Sequence, residues 1–126
     1  MGTILSNQGG NVWTFAATGG SGTLPVLICQ YDLVPKRVRW EPDSTTKAGD
    51  TVIIDDVQGR VVQKFVASGT YFEEMEARPR EHEKWMGYYN PAVNYANSGY
   101  PPNTDITATP GVALKQLDSG TLYIYV

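Results

Sequence analysis

Few residues in this 126-residue chain have the type and spacing that chemistry needs. The single histidine, His82, stands in the charge run Arg80-Glu81-His82-Glu83-Lys84. An imidazole acts as a general base when a pocket and an orienting partner hold it, and a solvated run supplies neither. Asp50, Asp55 and Asp56 bring together oxygens of the kind calcium favours. Asp-Asp ahead of a glycine is also ordinary turn chemistry. Neighbouring carboxylates on a strand point to opposite faces, which argues against Asp55 and Asp56 as a glycosidase pair. The single cysteine, Cys29, lies mid-strand between Ile28 and Gln30 and reads as a small buried hydrophobe. It excludes an intramolecular disulfide. Gly20-Ser21-Gly22 lacks the helix that a dinucleotide-binding loop must open, and no nucleophile elbow, phosphate loop or zinc spacing is present. The expectation is a protein that is not an enzyme and holds no metal and no cofactor.

The stretch with functional character is Trp85 to Asn103, WMGYYNPAVNYANSGYPPN. Trp85, Tyr88, Tyr89, Tyr95 and Tyr100 alternate there with Asn90, Asn94 and Asn97, a composition favoured at protein interfaces. The same rings suit stacking on sugars, with the amides bonding hydroxyls, or simple cover for one end of the domain. On the interface reading, replacing Trp85 and Tyr89 by Ala weakens attachment and leaves the fold intact. Tyr123 and Tyr125, near the end of the chain, complete the candidate interface set.

The elements that position these residues are strands. Val12 to Phe15 reads as a first strand, preceded by a polar, Gly-bearing arm over residues 1–11 that is expected to be free and flexible. Thr18 to Thr23 is a Gly-rich connection. Leu24 to Tyr31 is an apolar run of strand length, and Pro25 marks it as an edge or opening position because proline cannot donate to a ladder. Lys36 to Trp40 alternates, with Val38 and Trp40 on one face and Arg37 and Arg39 on the other. Ala48 to Val66 is a hairpin about the turn Asp56-Val57-Gln58-Gly59, its register open by one residue. Ala67 to Phe72 reads as a further strand. Glu73 to Lys84 is dense in charge and is broken by Pro79, so a short interrupted helix is the most it supports. Gly111 to Val126 reads as a closing hairpin about Asp118-Ser119-Gly120, with Leu114 facing Ile124, Val112 facing Val126 and Gln116 facing Leu122. Val112, Leu114, Leu122, Ile124 and Val126 then belong to the core. Tyr123 and Tyr125 look the other way, under the excursion or toward a neighbouring subunit.

Seven to eight short strands predict an all-β fold, a small antiparallel β-sandwich or partly open barrel. Residues 12–126 form one domain, with a long irregular aromatic and charged insertion over 73–106. The net charge of −3 argues against a general nucleic-acid binder. The start, MGTILSNQGG, has neither the basic nor the long apolar region of a signal peptide, and no apolar run reaches membrane-spanning length.

The strand ending in Trp40, the stretch AGDTVIIDDVQGRVV and, after an interval, GVALKQLDSGTLYIYV resemble, in that order, a group of small β-rich structural proteins associated with the head of tailed bacteriophages. In that group a Trp strand precedes a hairpin of the form G-D/H-x-V-x-I-x-D-x-x-G-x-V, and the chain closes on L-x-S-G-x-L-Y-x-Y. The likeness covers residues 36–72 and 111–126; the N-terminal region and residues 73–106 depart from the pattern. It implies a decoration or cement protein of the virion. Such a protein is made in the host cytoplasm, sits on the capsid surface, binds the major capsid protein and acts as a homo-oligomer, a trimer or dimer. The competing expectation is a carbohydrate- or receptor-binding module of a phage tail or surface adhesin, resting on the Tyr/Asn-rich stretch.

Overall fold

The computed structural model describes residues 4–69, 74–81, 83–88 and 111–126. Nine strands form among them: β1 (Leu5–Asn7), β2 (Val12–Ala16), β3 (Val26–Cys29), β4 (Arg37–Glu41), β5 (Thr51–Asp55), β6 (Val61–Val66), β7 (Met75–Ala77), β8 (Val112–Leu117) and β9 (Thr121–Tyr125). They make two antiparallel sheets, one of order β1-β2-β9-β4-β7 and one of order β3-β8-β5-β6. The architecture is a β-sandwich, and neither sheet closes into a barrel.

Period-2 alternation in β2, β9 and β4 decides which side chains meet between the sheets. Two rows cross the five-stranded sheet in register. One runs Trp13, Ile124, Val38, Ala77; the other runs Phe15, Leu122, Trp40, Met75. Opposite them, Ile28, Val52, Ile54, Phe65, Val112 and Leu114 fill the inner side of the second sheet. The Trp40 and Phe65 rings stack across the gap, with centroids 6.3 Å apart. Val38, Trp40, Val52, Ile54, Leu114, Leu122 and Ile124 exclude solvent completely. At roughly 1.5–3 kcal/mol for each fully buried large apolar side chain, this layer is the main stabilising feature of the domain.

The Asp56–Gly59 hairpin forms as its sequence predicts, and the bulge between Ile54 and Asp55 fixes the register that the paired valines and isoleucines left open. β3, which Pro25 precedes, lies at a sheet edge. Four expectations need correction. First, β8 and β9 do not form a hairpin. They belong to different sheets, and residues 118–120 carry the chain from one layer to the other. An apolar inner face is required equally of two strands paired in one sheet and of two strands facing each other across a sandwich, so the pattern did not distinguish them. The inward set survives: Val112, Leu114, Leu122 and Ile124 are buried, and Val126 packs against the core from its rim.

Second, the N-terminal region is not a free arm in its described part. β1 pairs with β2, Ile4 is buried and exchanges two backbone hydrogen bonds with Gly22, and the Gln8 amide donates to the Ile28 carbonyl. Its Gly-bearing stretch is the turn of a hairpin. Third, the charged segment before Pro79 is a strand, β7, rather than a helix. Met75 and Ala77 pack against the core while Glu74, Glu76 and Arg78 face solvent, an alternation that ion pairing to β4 rewards. Fourth, residues 67–69 lie outside any strand, and the remainder of the strand expected up to Phe72 lies outside the described residues.

Candidate interaction surface

The outer face of the five-stranded sheet is built from the alternate residues of the same strands. Register places Val12, Tyr125 and Arg37 in one row and Thr14, Tyr123, Arg39 and Glu76 in the next. Each arginine lies against a tyrosine. The Arg37 Cζ is 4.8 Å from the centre of the Tyr125 ring, and the Arg39 Cζ is 4.1 Å from that of Tyr123. Carboxylates from β7 and from the end of β4 hold the guanidinium groups in place. Arg37 reaches Glu76 at 2.7 and 2.8 Å, and Arg39 Nη1 reaches Glu74 at 2.6 Å and Glu41 at 3.5 Å. Arg39 Nε donates to the Tyr125 hydroxyl at 3.2 Å.

This lattice acts on the acid–base properties of its members. The hydrogen bond from Arg37 pulls the Glu76 carboxyl below its ordinary value, with Arg78 adding to the effect. Partial burial raises the Tyr123 phenol, and the Glu41 charge raises it further. Both groups keep their neutral-pH charge states across the physiological range. The face is therefore half-buried and preorganised, with Tyr and Arg held by the carboxylates of Glu41, Glu74 and Glu76.

Tyr123 and Tyr125 thus stand on the outward face, as the alternation of β9 predicts. Of the excursion residues, Tyr88 is 63% exposed. Tyr31 and Val34 are exposed as well. Asp32 fastens residues 87 and 88: its Oδ1 accepts the backbone N–H groups of Gly87 and Tyr88, and Lys84 lies 3.7 Å from Oδ2. Burial would raise the Asp32 carboxyl, but these two N–H donors and the Lys84 charge outweigh it and hold the group below its ordinary range.

Trp85 is a correction. It is 1% exposed and belongs to the core, held by a two-bond bridge between its backbone and that of Leu33. Replacing it by Ala would hollow the core rather than trim an interface. Tyr89, Tyr95 and Tyr100 lie outside the described residues, as does His82.

Cys29 is buried, its thiol bonded to the Tyr31 carbonyl at 3.3 Å and pushed up in pKa by burial. Asp56 is fully buried beneath Arg60, and Asp50 is bonded to Ser119. Among the described residues no group of three or more His, Cys, Asp or Glu side chains is arranged to hold a metal ion. Nor is any helix among them long and apolar enough to cross a membrane. Sequence reasoning missed the basic groove of about 400 Å³ beside β7, lined by Val34, Pro35, Lys36, Arg78, Pro79, Arg80 and Glu81. It brings the Val34-Pro35 corner against residues 78–81, more than forty residues away, a meeting no local pattern signals.

Comparison with protein-family models, curated proteins and solved structures found no match.

Proposed function

We propose that the chain is a structural protein of a tailed-bacteriophage virion, a decoration or cement module that binds the major capsid protein and acts as a homo-oligomer. The proposal starts from the resemblance of the Trp40 strand, the Asp56–Gly59 hairpin and the LDSGTLYIYV ending to head-associated proteins. The observation that carries it is the outer face of β4, β7 and β9. Tyr and Arg are the residue types that dominate binding energy at protein interfaces. Here Arg37, Arg39, Tyr123 and Tyr125 form one array whose side chains are already ordered by Glu41, Glu74 and Glu76, so docking loses little further rotamer freedom.

The adhesin alternative is supported less well. A sugar needs an open ring face, and one face of each of Tyr123 and Tyr125 is occupied by a guanidinium. The test is to mix the purified protein with empty capsids that lack it, sediment the particles and measure the copy number bound. Saturation at a fixed ratio to the capsid subunit supports the reading. Failure to sediment with capsids, together with absence from purified virions, overturns it.

A further inference from the structure

Where β4 and β7 stop pairing, the basic groove of about 400 Å³ opens between residues 34–36 and 78–81. The ladder between the two strands runs from Trp40 opposite Met75 to Val38 opposite Ala77. Continued in that register, it would set Lys36 opposite Pro79, which has no N–H to donate. Lys36 is anchored instead on the other neighbour of β4, its backbone N–H donating to the Tyr125 carbonyl at 2.8 Å. On the facing wall the Arg80 carbonyl accepts the Glu83 N–H at 2.9 Å. Both walls are thus fixed through backbone bonds.

The groove inverts the sign of the chain around it. The whole chain carries 13 acidic residues against 10 lysines and arginines. Yet three of those cations, Lys36, Arg78 and Arg80, line this groove beside one carboxylate, that of Glu81. Arg78 is already in an ion pair, its Nε 3.0 Å from Glu76, a carboxylate that Arg37 also holds. Among the described residues no carboxylate comes within ion-pair distance of Lys36 or Arg80, and both residues are exposed. With Glu76 and Glu81 set in full against Lys36, Arg37, Arg78 and Arg80, two positive charges remain uncompensated.

We propose that this groove binds an acidic segment of the protein's partner, with Asp or Glu carboxylates seated on Lys36 and Arg80. A guanidinium fork and an ammonium both form charge-assisted bonds to carboxylate oxygens. Val34, 47% exposed, and the two prolines give the aliphatic parts of such a segment an apolar wall. The volume lies within the range of about 300–1,000 Å³ usual for ligand sites. A phosphodiester chain would meet the same cations, but its charge extends far past the groove, over a protein whose net charge is −3. A short acidic segment places its charge only where the cations are. Capture of such a segment stands on the groove alone; its assignment to the capsid subunit rests on the decoration reading.

The test separates the two. The full chain is titrated into fluorescein-labelled hexaglutamate peptide at pH 7 and low salt, with hexaglutamine as the uncharged control, and anisotropy is read. Saturable binding of hexaglutamate alone is expected, weakening with added sodium chloride as screening sets in. K36Q/R80Q should weaken it about fivefold or more. K47Q/K64Q, which removes the same charge elsewhere, should leave it nearly unchanged. Both variants should keep the native urea midpoint, because no described carboxylate pairs with any of the four side chains. No saturable binding of hexaglutamate, or equal weakening by the two double variants, overturns the groove as the site. Tighter binding of decathymidylate than of hexaglutamate overturns the acidic-protein assignment. If hexaglutamate binds and K36Q/R80Q still sediments with capsids like the native chain, the capsid-borne segment is overturned while the decoration reading stands. If the native chain does not sediment at all, the decoration reading fails and the peptide result still establishes the groove.

Discussion

The Ser119 hydroxyl donates to the Asp50 carboxylate at 2.8 Å inside the protein, across 69 residues of sequence. Because that proton points at Asp50, the Thr46 hydroxyl, 2.8 Å from Ser119 Oγ, must be the donor to Ser119. The Trp40 indole donates to the Ser119 carbonyl, and Asp43 Oδ2 accepts the Gly120 N–H at 3.1 Å. Residues 43–50 thus form a polar socket that receives the arch joining β8 to β9. This socket turns the two final strands into opposite walls of the sandwich rather than neighbours in one sheet.

Removing the hydroxyl should test that role. Ser119→Ala leaves Asp50 with the Lys47 N–H at 3.1 Å but one donor fewer, and leaves the Thr46 proton only the long 3.5 Å contact with Asp43 Oδ1. Loss of one partner from a buried pair costs about 1–3 kcal/mol. Urea unfolding should show a lower midpoint with an unchanged slope. An unchanged midpoint would mean that the socket merely accompanies the arch.

Gly120 and Gly49 make a matched comparison. Both have left-handed backbone, with φ of +74° and +90°. A Cβ at Gly49 would meet nothing within 4 Å, whereas one at Gly120 would lie 2.2 Å from the Glu41 carbonyl oxygen. Gly49→Ala should therefore incur only the conformational strain of a non-glycine residue there, about 1–2 kcal/mol. Gly120→Ala adds a clash with β4 backbone and should lower the unfolding midpoint further. Equal losses would show that the arch relaxes away from β4.

Asp55 is a liability at neutral pH. Its Oδ1 is buried without a partner, and burial raises the carboxyl above its ordinary value; Lys115 only partly offsets this, and Asp56 adds to it. An acid with a raised folded-state pKa favours the folded state below its unfolded value and loses that contribution as pH rises through the folded value. Asp55→Asn should therefore raise the urea midpoint at pH 7, and the gain should disappear below the ordinary carboxyl range, where Asp55 is protonated in both states. A gain that persists at low pH would assign the effect to packing instead of charge.

What the sequence disclosed depended on period. The alternation of Arg37, Val38, Arg39 and Trp40 places two side chains in the core and two outside without any tertiary knowledge, and Tyr123 and Tyr125 follow the same rule on β9. Asp56 and Gly59 announce their turn by residue type. Trp85 was misread because composition records how aromatic a stretch is and not whether a bridge to Leu33 draws one ring inward. The β8–β9 arch was invisible because Ser119 in a turn looks the same whether its hydroxyl meets water or Asp50. The Val57 N–H bond to the Met86 carbonyl joins a hairpin turn to a segment more than twenty residues away, and no local pattern encodes that meeting.

The outer face offers a separation of stability from docking. The Arg39–Glu74 pair stands at the surface of the sheet, its side chains 20% and 38% exposed, where an ion pair contributes modestly to folding. Arg39→Met keeps much of the stem that lies against Tyr123 and removes the fork that reaches Glu74, Glu41 and the Tyr125 hydroxyl. Its urea midpoint should stay close to that of the native chain. Capsid binding should weaken about tenfold or more if this face docks, because truncating a central arginine at an interface removes contacts that the rim does not replace. Tyr123→Phe, which keeps the ring beneath Arg39, should bind nearly as well as the native chain, and Tyr123→Ala should not. If Arg39→Met and Tyr123→Ala both decorate capsids at native affinity, the docking surface lies elsewhere on the molecule.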